Sequence, residues 1–94
     1  MKIALAEDNP RIAHMLQQNI NGTGKANIVE HFKNGREILQ AMQKGMLCDI
    51  ILMDIQMPEM DGIEATQRIM KDFPRQKLLC VQSLMMINIY LKRY

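Results

Sequence analysis

Three carboxylates in this chain sit where they could work together: Glu7, Asp8 and Asp54. Asp54 ends the run Asp49-Ile50-Ile51-Leu52-Met53 and precedes Ile55-Gln56-Met57-Pro58-Glu59-Met60-Asp61-Gly62. A short continuous apolar run bounded by turn residues reads as a strand covered on both faces. Glu7-Asp8 ends a second such run, Lys2-Ile3-Ala4-Leu5-Ala6. If both strands are parallel, all three acids lie at their C-terminal mouths, where open α/β sheets bind ligands. Converging carboxylates repel one another unless a hard divalent cation neutralises them. Mg²⁺ needs only one or two carboxylates plus a carbonyl, because it keeps several waters. A rigidly held carboxylate beside such a cation can attack phosphorus and become an aspartyl phosphate. Asp54, flanked by apolar strand residues, is the nucleophile candidate; Glu7 and Asp8 are the metal-side acids. Asp61 differs from these three, since Asp-Gly before a helix is loop chemistry.

The elements that must position these acids follow from apolar spacing. Lys2 to Ala6 reads as the first strand. Asn9-Pro10 opens a helix with Ile12, Met15, Leu16 and Ile20 on its apolar stripe, stopped by Asn21-Gly22-Thr23-Gly24. Ala26 to Phe32 reads as a second strand. Asn34-Gly35 turns into a second helix carrying Ile38, Leu39 and Met42, ended by Gly45. After the strand Ile50–Met53 and the loop Met57–Gly62 comes a third helix, with Ile63, Ile69, Met70 and Phe73 as its apolar positions and Pro74 closing it. Leu78-Leu79-Cys80-Val81 reads as a fourth strand. Strands alternating with helices imply right-handed βαβ units and a parallel sheet. There is no internal repeat, low-complexity segment or linker.

Composition narrows the function. The 94 residues suit one domain, and the net charge of +2 is too small to argue for nucleic acid or a membrane surface. No apolar run reaches the roughly 18 residues of a membrane span, and no signal peptide is expected before the first strand. Cys48 and Cys80 are expected as reduced, buried thiols of a cytoplasmic protein, with too few Cys and His for a thiolate metal site. His14 and His31 stand alone and are expected at the surface or satisfied. The ten methionines are expected mostly in the core. The additional catalytic residues of a metal-dependent phosphatase are missing.

The chain resembles the receiver domain of two-component response regulators. The residues that carry the resemblance are Ile3-Ala4-Leu5-Ala6-Glu7-Asp8-Asn9, Asn34-Gly35, and the block Asp49 to Gly62, covering residues 1 to about 81 in order. The resemblance implies a flavodoxin-like (CheY-like) α/β fold with helices on both faces of a parallel sheet of strand order 2-1-3-4. By that match Asp54 is the phosphoacceptor, served by a sensor histidine kinase or phosphotransfer protein. Glu7 and Asp8 match the acidic pair that organises Mg²⁺, Asp8 the more direct ligand. The backbone carbonyl of Gln56 matches the third protein ligand, and Pro58 and Gly62 match the residues that shape the loop. No enzyme activity is implied beyond self-catalysed phosphotransfer and autodephosphorylation.

After Val81 the pattern departs. A receiver places Ser or Thr at the end of its fourth strand to hydrogen-bond the phosphoryl group; the aligned residue here is Gln82, with Ser83 reachable only by a register slip that turns side chains over. The usual fourth helix, fifth strand with its Lys, and fifth helix are missing from the pattern, and Lys92 does not match that Lys. The expected consequence is an exposed fourth-strand edge and self-association through that edge or through the apolar tail Leu84–Leu91. This favours, as the alternative to a switch, a receiver-derived interaction or dimerisation module with impaired phosphorylation. No nucleic-acid contact is expected from these residues, although a DNA-binding output domain lost from a longer regulator is compatible with the pattern. Met85-Met86-Ile87 must be encoded ATG-ATG-AT, which one frame over reads as two aspartates, so a frameshifted C-terminus is a further expectation that sequencing the gene decides.

Overall fold

A strand buried on both faces needs apolar side chains at every position, and two strands of this chain have them. The computed structural model describes residues 1–82. In it β1 (Lys2–Ala6) and β3 (Ile50–Asp54) lie side by side at the centre of a four-stranded sheet of order β2-β1-β3-β4, with β2 at Asn27–Phe32 and β4 at Lys77–Val81. All three pairings are parallel. In register, Leu5 lies beside Leu52, Leu52 beside Leu79, and Asp54 beside Val81. The expected strand order holds. β2 starts one residue later and β4 one residue earlier than the apolar pattern suggested.

Each helix begins at a side-chain cap. For α1 (Pro10–Asn21) Asn9 Oδ1 accepts from the Arg11 and Ile12 N–H groups at 2.9 and 3.3 Å, and Pro10 occupies the first turn, where its missing N–H costs nothing. For α2 (Gly35–Gln43) Asn34 accepts from Glu37 N–H, while the Glu37 carboxylate reaches back to Lys33 N–H at 2.7 Å. For α3 (Gly62–Asp72) Asp61, read from its Asp-Gly context as loop chemistry, accepts from Glu64 N–H and caps the helix. Gly45, at φ 97°, takes the left-handed conformation just past α2.

The helices cover both faces, unequally. On one face α1 packs Ala13, Leu16 and Ile20 onto Ile3, Leu5, Ile28 and Leu52. On the other, α2 and α3 pack Ile38, Leu39, Met42, Ala65 and Ile69 onto Ala4, Ala6, Ile51 and Met53. The third helix corrects its sequence reading. Gly62, Ala65 and Ile69 face inward, whereas Ile63 and Met70 are exposed. At 100° per residue, positions one step beyond Gly62 and Ile69 turn off the packed stripe, so apolar type alone does not define the buried face.

The thiols also differ from expectation. Cys48 and Cys80 are free but only half-buried, because Cys48 lies in the loop before β3 and Cys80 in an edge strand. Met42, Met53, Met57 and Met60 are buried, while Met1 and Met70 are exposed. His31 is exposed and satisfied, its Nε2 lying 2.8 Å from the Glu7 backbone carbonyl. No helix among the described residues is long and apolar enough to cross a membrane. The expectations concerning Ser83, Lys92, the tail Leu84–Leu91 and a frameshift lie outside the described residues.

Candidate functional site

β1 and β3 run parallel and end level with each other, so the residues after Ala6 and at Asp54 meet at one end of the sheet. Glu7, Asp8 and Asp54 each place a carboxylate oxygen within 4.8 Å of the others. Glu7 is 2% exposed and Asp54 7%, whereas Asp8 is exposed. Glu7, Asp8, Asn9, Ile12, Asp54, Gln56 and Gln82 line an open pocket of about 610 Å³.

Crowding and burial show in the acid strengths. Burial, hydrogen bonding to Asp8 and the nearby charge of Asp54 push the Glu7 carboxyl from an ordinary 4.5 up to about 8. Asp54 is also raised, mainly by burial, against the opposing pull of a hydrogen bond with Glu7 and of the Ile55 and Gln56 backbone N–H groups. Both shifts favour retention of a proton by the buried pair. Asp54 Oδ1 is buried and makes no hydrogen bond. Buried carboxylate oxygens are ordinarily paired, so this one has bonding capacity to offer a ligand. A buried, unpartnered carboxylate oxygen on a residue clustered with two further acids at an open pocket is a donor set that fits a hard divalent cation.

The loop after Asp54 is held by backbone contacts. Gly62 N–H donates to Ile55 carbonyl at 2.8 Å, and a Cβ on Gly62 would overlap the Asp54 carbonyl. Only glycine lets α3 begin this close to the strand end. Gly35 N–H donates to the Met60 carbonyl at 2.9 Å, which ties the start of α2 to the same loop. Arg36 and Glu59 add an exposed ion pair at 3.6 Å. Glu59 itself adopts φ 65°, a left-handed turn position with no warning in the sequence, since Gly or Asn would be the usual signal. Pro58 is exposed in this loop.

All three acids and Gln56 thus come together, with Pro58 and Gly62 in the loop beside them. Sequence reasoning treated Asn9 only as a cap, yet it also lines the pocket, with its N–H 3.4 Å from Glu7 Oε2. Gln82 lines it too, although in the sequence it looked like a loss. Among the described residues no lysine or arginine lines the pocket.

Comparison with known proteins places this arrangement. The response regulator receiver domain profile matches residues 3–87. The chain is 38% identical over 84 residues to a protein-glutamate methylesterase/protein-glutamine glutaminase of Mesorhizobium japonicum, covering 89% of this chain and 24% of that protein. It is 34% identical over 79 residues to the transcriptional regulatory protein YxjL of Bacillus subtilis, covering 84% of this chain and 36% of that protein. The chain therefore spans about a quarter to a third of the length of these relatives. Among solved structures, the response regulator domain of Thermotoga maritima CheB superposes with a TM-score of 0.76 at 26% identity, over 99% of this chain and 71% of that one. The isolated receiver domain of Salmonella enterica RcsB, at 18% identity and a TM-score of 0.76, covers 98% of this chain and 72% of that one, and shares the fold. With the acids at the mouth of a 2-1-3-4 parallel sheet and the profile spanning most of its length, the chain belongs to the response regulator receiver domain family of two-component signalling.

Proposed function

We propose that this chain accepts a phosphoryl group on Asp54 from a sensor histidine kinase or phosphotransfer protein, with Mg²⁺ held by Glu7, Asp8, Asp54 and the Gln56 backbone carbonyl. The observation that carries the reading is the buried, unpartnered Oδ1 of Asp54, a residue that lines one pocket with two further acids. In the reaction an Asp54 carboxylate oxygen forms a bond to phosphorus as the bond from phosphorus to the donor's leaving group breaks, with the electron pair going to that group. The metal, when bound, supplies positive charge against the phosphoryl oxygens. The protein's own part is to hold the nucleophile. The β3 backbone fixes Asp54, the Gly62 contact keeps α3 against its carbonyl, and burial keeps the side chain from rotating into solvent. Binding a cation through both buried acids requires the proton they hold to leave, which links the site to pH.

The deciding experiment is incubation with Mg²⁺ and acetyl phosphate followed by intact mass measurement. The expected result is one added phosphoryl mass that Asp54→Asn abolishes. An unmodified wild-type protein overturns the reading.

A second reading is a receiver-derived interaction module that associates with itself. It is favoured by Leu79, which is 44% exposed on the edge strand β4. An exposed apolar edge invites strand pairing. Light scattering over a concentration series is expected to show a dimer, and monomer at every concentration removes this reading.

A further inference from the structure

The end of the sheet opposite the acids is both apolar and basic. β1, β3 and β4 start there, at Lys2, Ile50 and Lys77, and α2 and α3 finish there, at Gln43 and Asp72. Met42, Met46, Leu47, Phe73 and Pro74 line an open depression of about 460 Å³ by the two helix ends, with Arg75 and Gln76 in its wall. A lone exposed leucine is ordinary. Leu47 is different, because it is 86% exposed at the rim of an apolar depression. Arg75 and Gln76 also line a neighbouring depression with Lys77, and Leu47 lines a third with Lys2. Asp49 belongs to both of these, and its Oδ2 already accepts from Lys2 N–H at 2.6 Å. Among the described residues Lys2, Arg75 and Lys77 form no ion pair. Helix C-termini ordinarily disfavour anions. At the end of α2, however, the Gln40, Ala41 and Met42 carbonyls already accept from Lys44, Met46 and Gly45 N–H groups.

We infer that this surface docks an acidic segment of a partner protein, with apolar side chains seated against Met46, Leu47 and Phe73 and carboxylates meeting Arg75, Lys77 and Lys2. Charge complementarity selects the occupant: unpaired bases ring an apolar depression, so the segment that fits has apolar residues among acids. A lipid headgroup layer supplies negative charge but no side chain to fill the depression. In a second copy the comparable segment surrounds the exposed Ile63, yet its carboxylates Glu59 and Glu64 already pair with Arg36 and Arg68. The surface lies at the far end of the strands from Asp54, so docking here is separable from the acid cluster.

The test uses the full chain and a fluorescein-labelled synthetic peptide of glutamates interleaved with leucine and phenylalanine, followed by fluorescence anisotropy. The peptide is expected to bind, and to bind more weakly as salt rises. Versions with every Glu replaced by Lys, or every apolar residue replaced by Ser, are expected not to bind. Arg75→Glu and Leu47→Ser are each expected to weaken binding by about tenfold. Val29→Ser, which removes an exposed apolar residue from the far edge strand, is expected to leave it unchanged. In ¹⁵N-labelled protein the Leu47 and Arg75 amide resonances are expected to shift as peptide is added. A peptide that fails to bind overturns the inference, as does binding that ignores both Arg75→Glu and Leu47→Ser or that persists in the Ser version. If the peptide fails while the two variants abolish self-association in light scattering, the occupant is a second copy. If it fails while they abolish binding to anionic phospholipid vesicles, the occupant is a membrane. Either result replaces the acidic segment.

Discussion

Leu52 and Leu79 are paired neighbours in one sheet, with the same side chain on the same face, yet Leu52 is 6% exposed and Leu79 is 44% exposed. The difference belongs to their strands. β3 has a strand on each side and helices on both faces, whereas β4 is an edge that packs mainly through Leu78 and Cys80, toward α2 and α3. Burial is what suits β3 to the chemistry proposed for Asp54, because a carboxylate at the end of a buried strand is held in place and its pKa is raised. Among the described residues β4 has less cover, which is the ground for the self-association reading.

The sharpest test of this contrast is one substitution made twice. Leu52→Ala is expected to destabilise the fold by about 2–5 kcal/mol, the usual range for emptying a packed leucine site. Urea unfolding measures it, and a cost below about 1 kcal/mol would mean that the central strand is not the packed unit described here.

A somewhat smaller effect is expected from pH. Glu7 binds its proton more tightly folded, near 8, than unfolded, near 4.5. The native state then carries more protons between those values, so the metal-free protein loses stability as pH rises from about 5 to 8. The loss is on the order of a few kcal/mol and reaches its full extent above the folded value. Glu7→Gln is expected to flatten the slope, and added Mg²⁺ to reduce it by binding the ionised acids. Denaturant midpoints at pH 6 and pH 9 provide the check, and a wild-type midpoint that rises with pH contradicts the assignment.

The smallest effect belongs to the edge. Leu79→Ala is expected to cost less than about 1 kcal/mol of stability, since much of the side chain is already in water. Its larger consequence is expected in association: if β4 is the contact surface, the dimer weakens in light scattering while the monomer stays folded. A loss comparable to that of Leu52→Ala would erase the distinction between the two strands.

Much of this arrangement was legible residue by residue. Continuous apolar runs located β1 and β3, and Asn9, Asn34 and Asp61 announced the starts of the helices they cap. Those signals are local, because a cap bonds to N–H groups two or three residues away and a doubly covered strand must be apolar throughout. The buried face of α3 was less legible, because Ile63 and Met70 are as apolar as Ile69 and only the direction of the packed sheet separates them. Glu59 in a left-handed turn carried no signal at all, since glutamate is not a residue type that favours that conformation.

The sequence by itself determined the elements, their order and the acidic residues that end two of the strands, because periodicity, capping and apolar runs act over a few residues. Tertiary structure decided which residues share the pocket. Only parallel pairing of β1 with β3 brings Glu7 and Asp8 to Asp54, and only pairing of β3 with β4 brings Gln82 to the same mouth. It also decided the chemistry of the acids: the raised pKa values and the unpartnered Asp54 oxygen arise from burial and from charges distant in the chain, which no local pattern encodes.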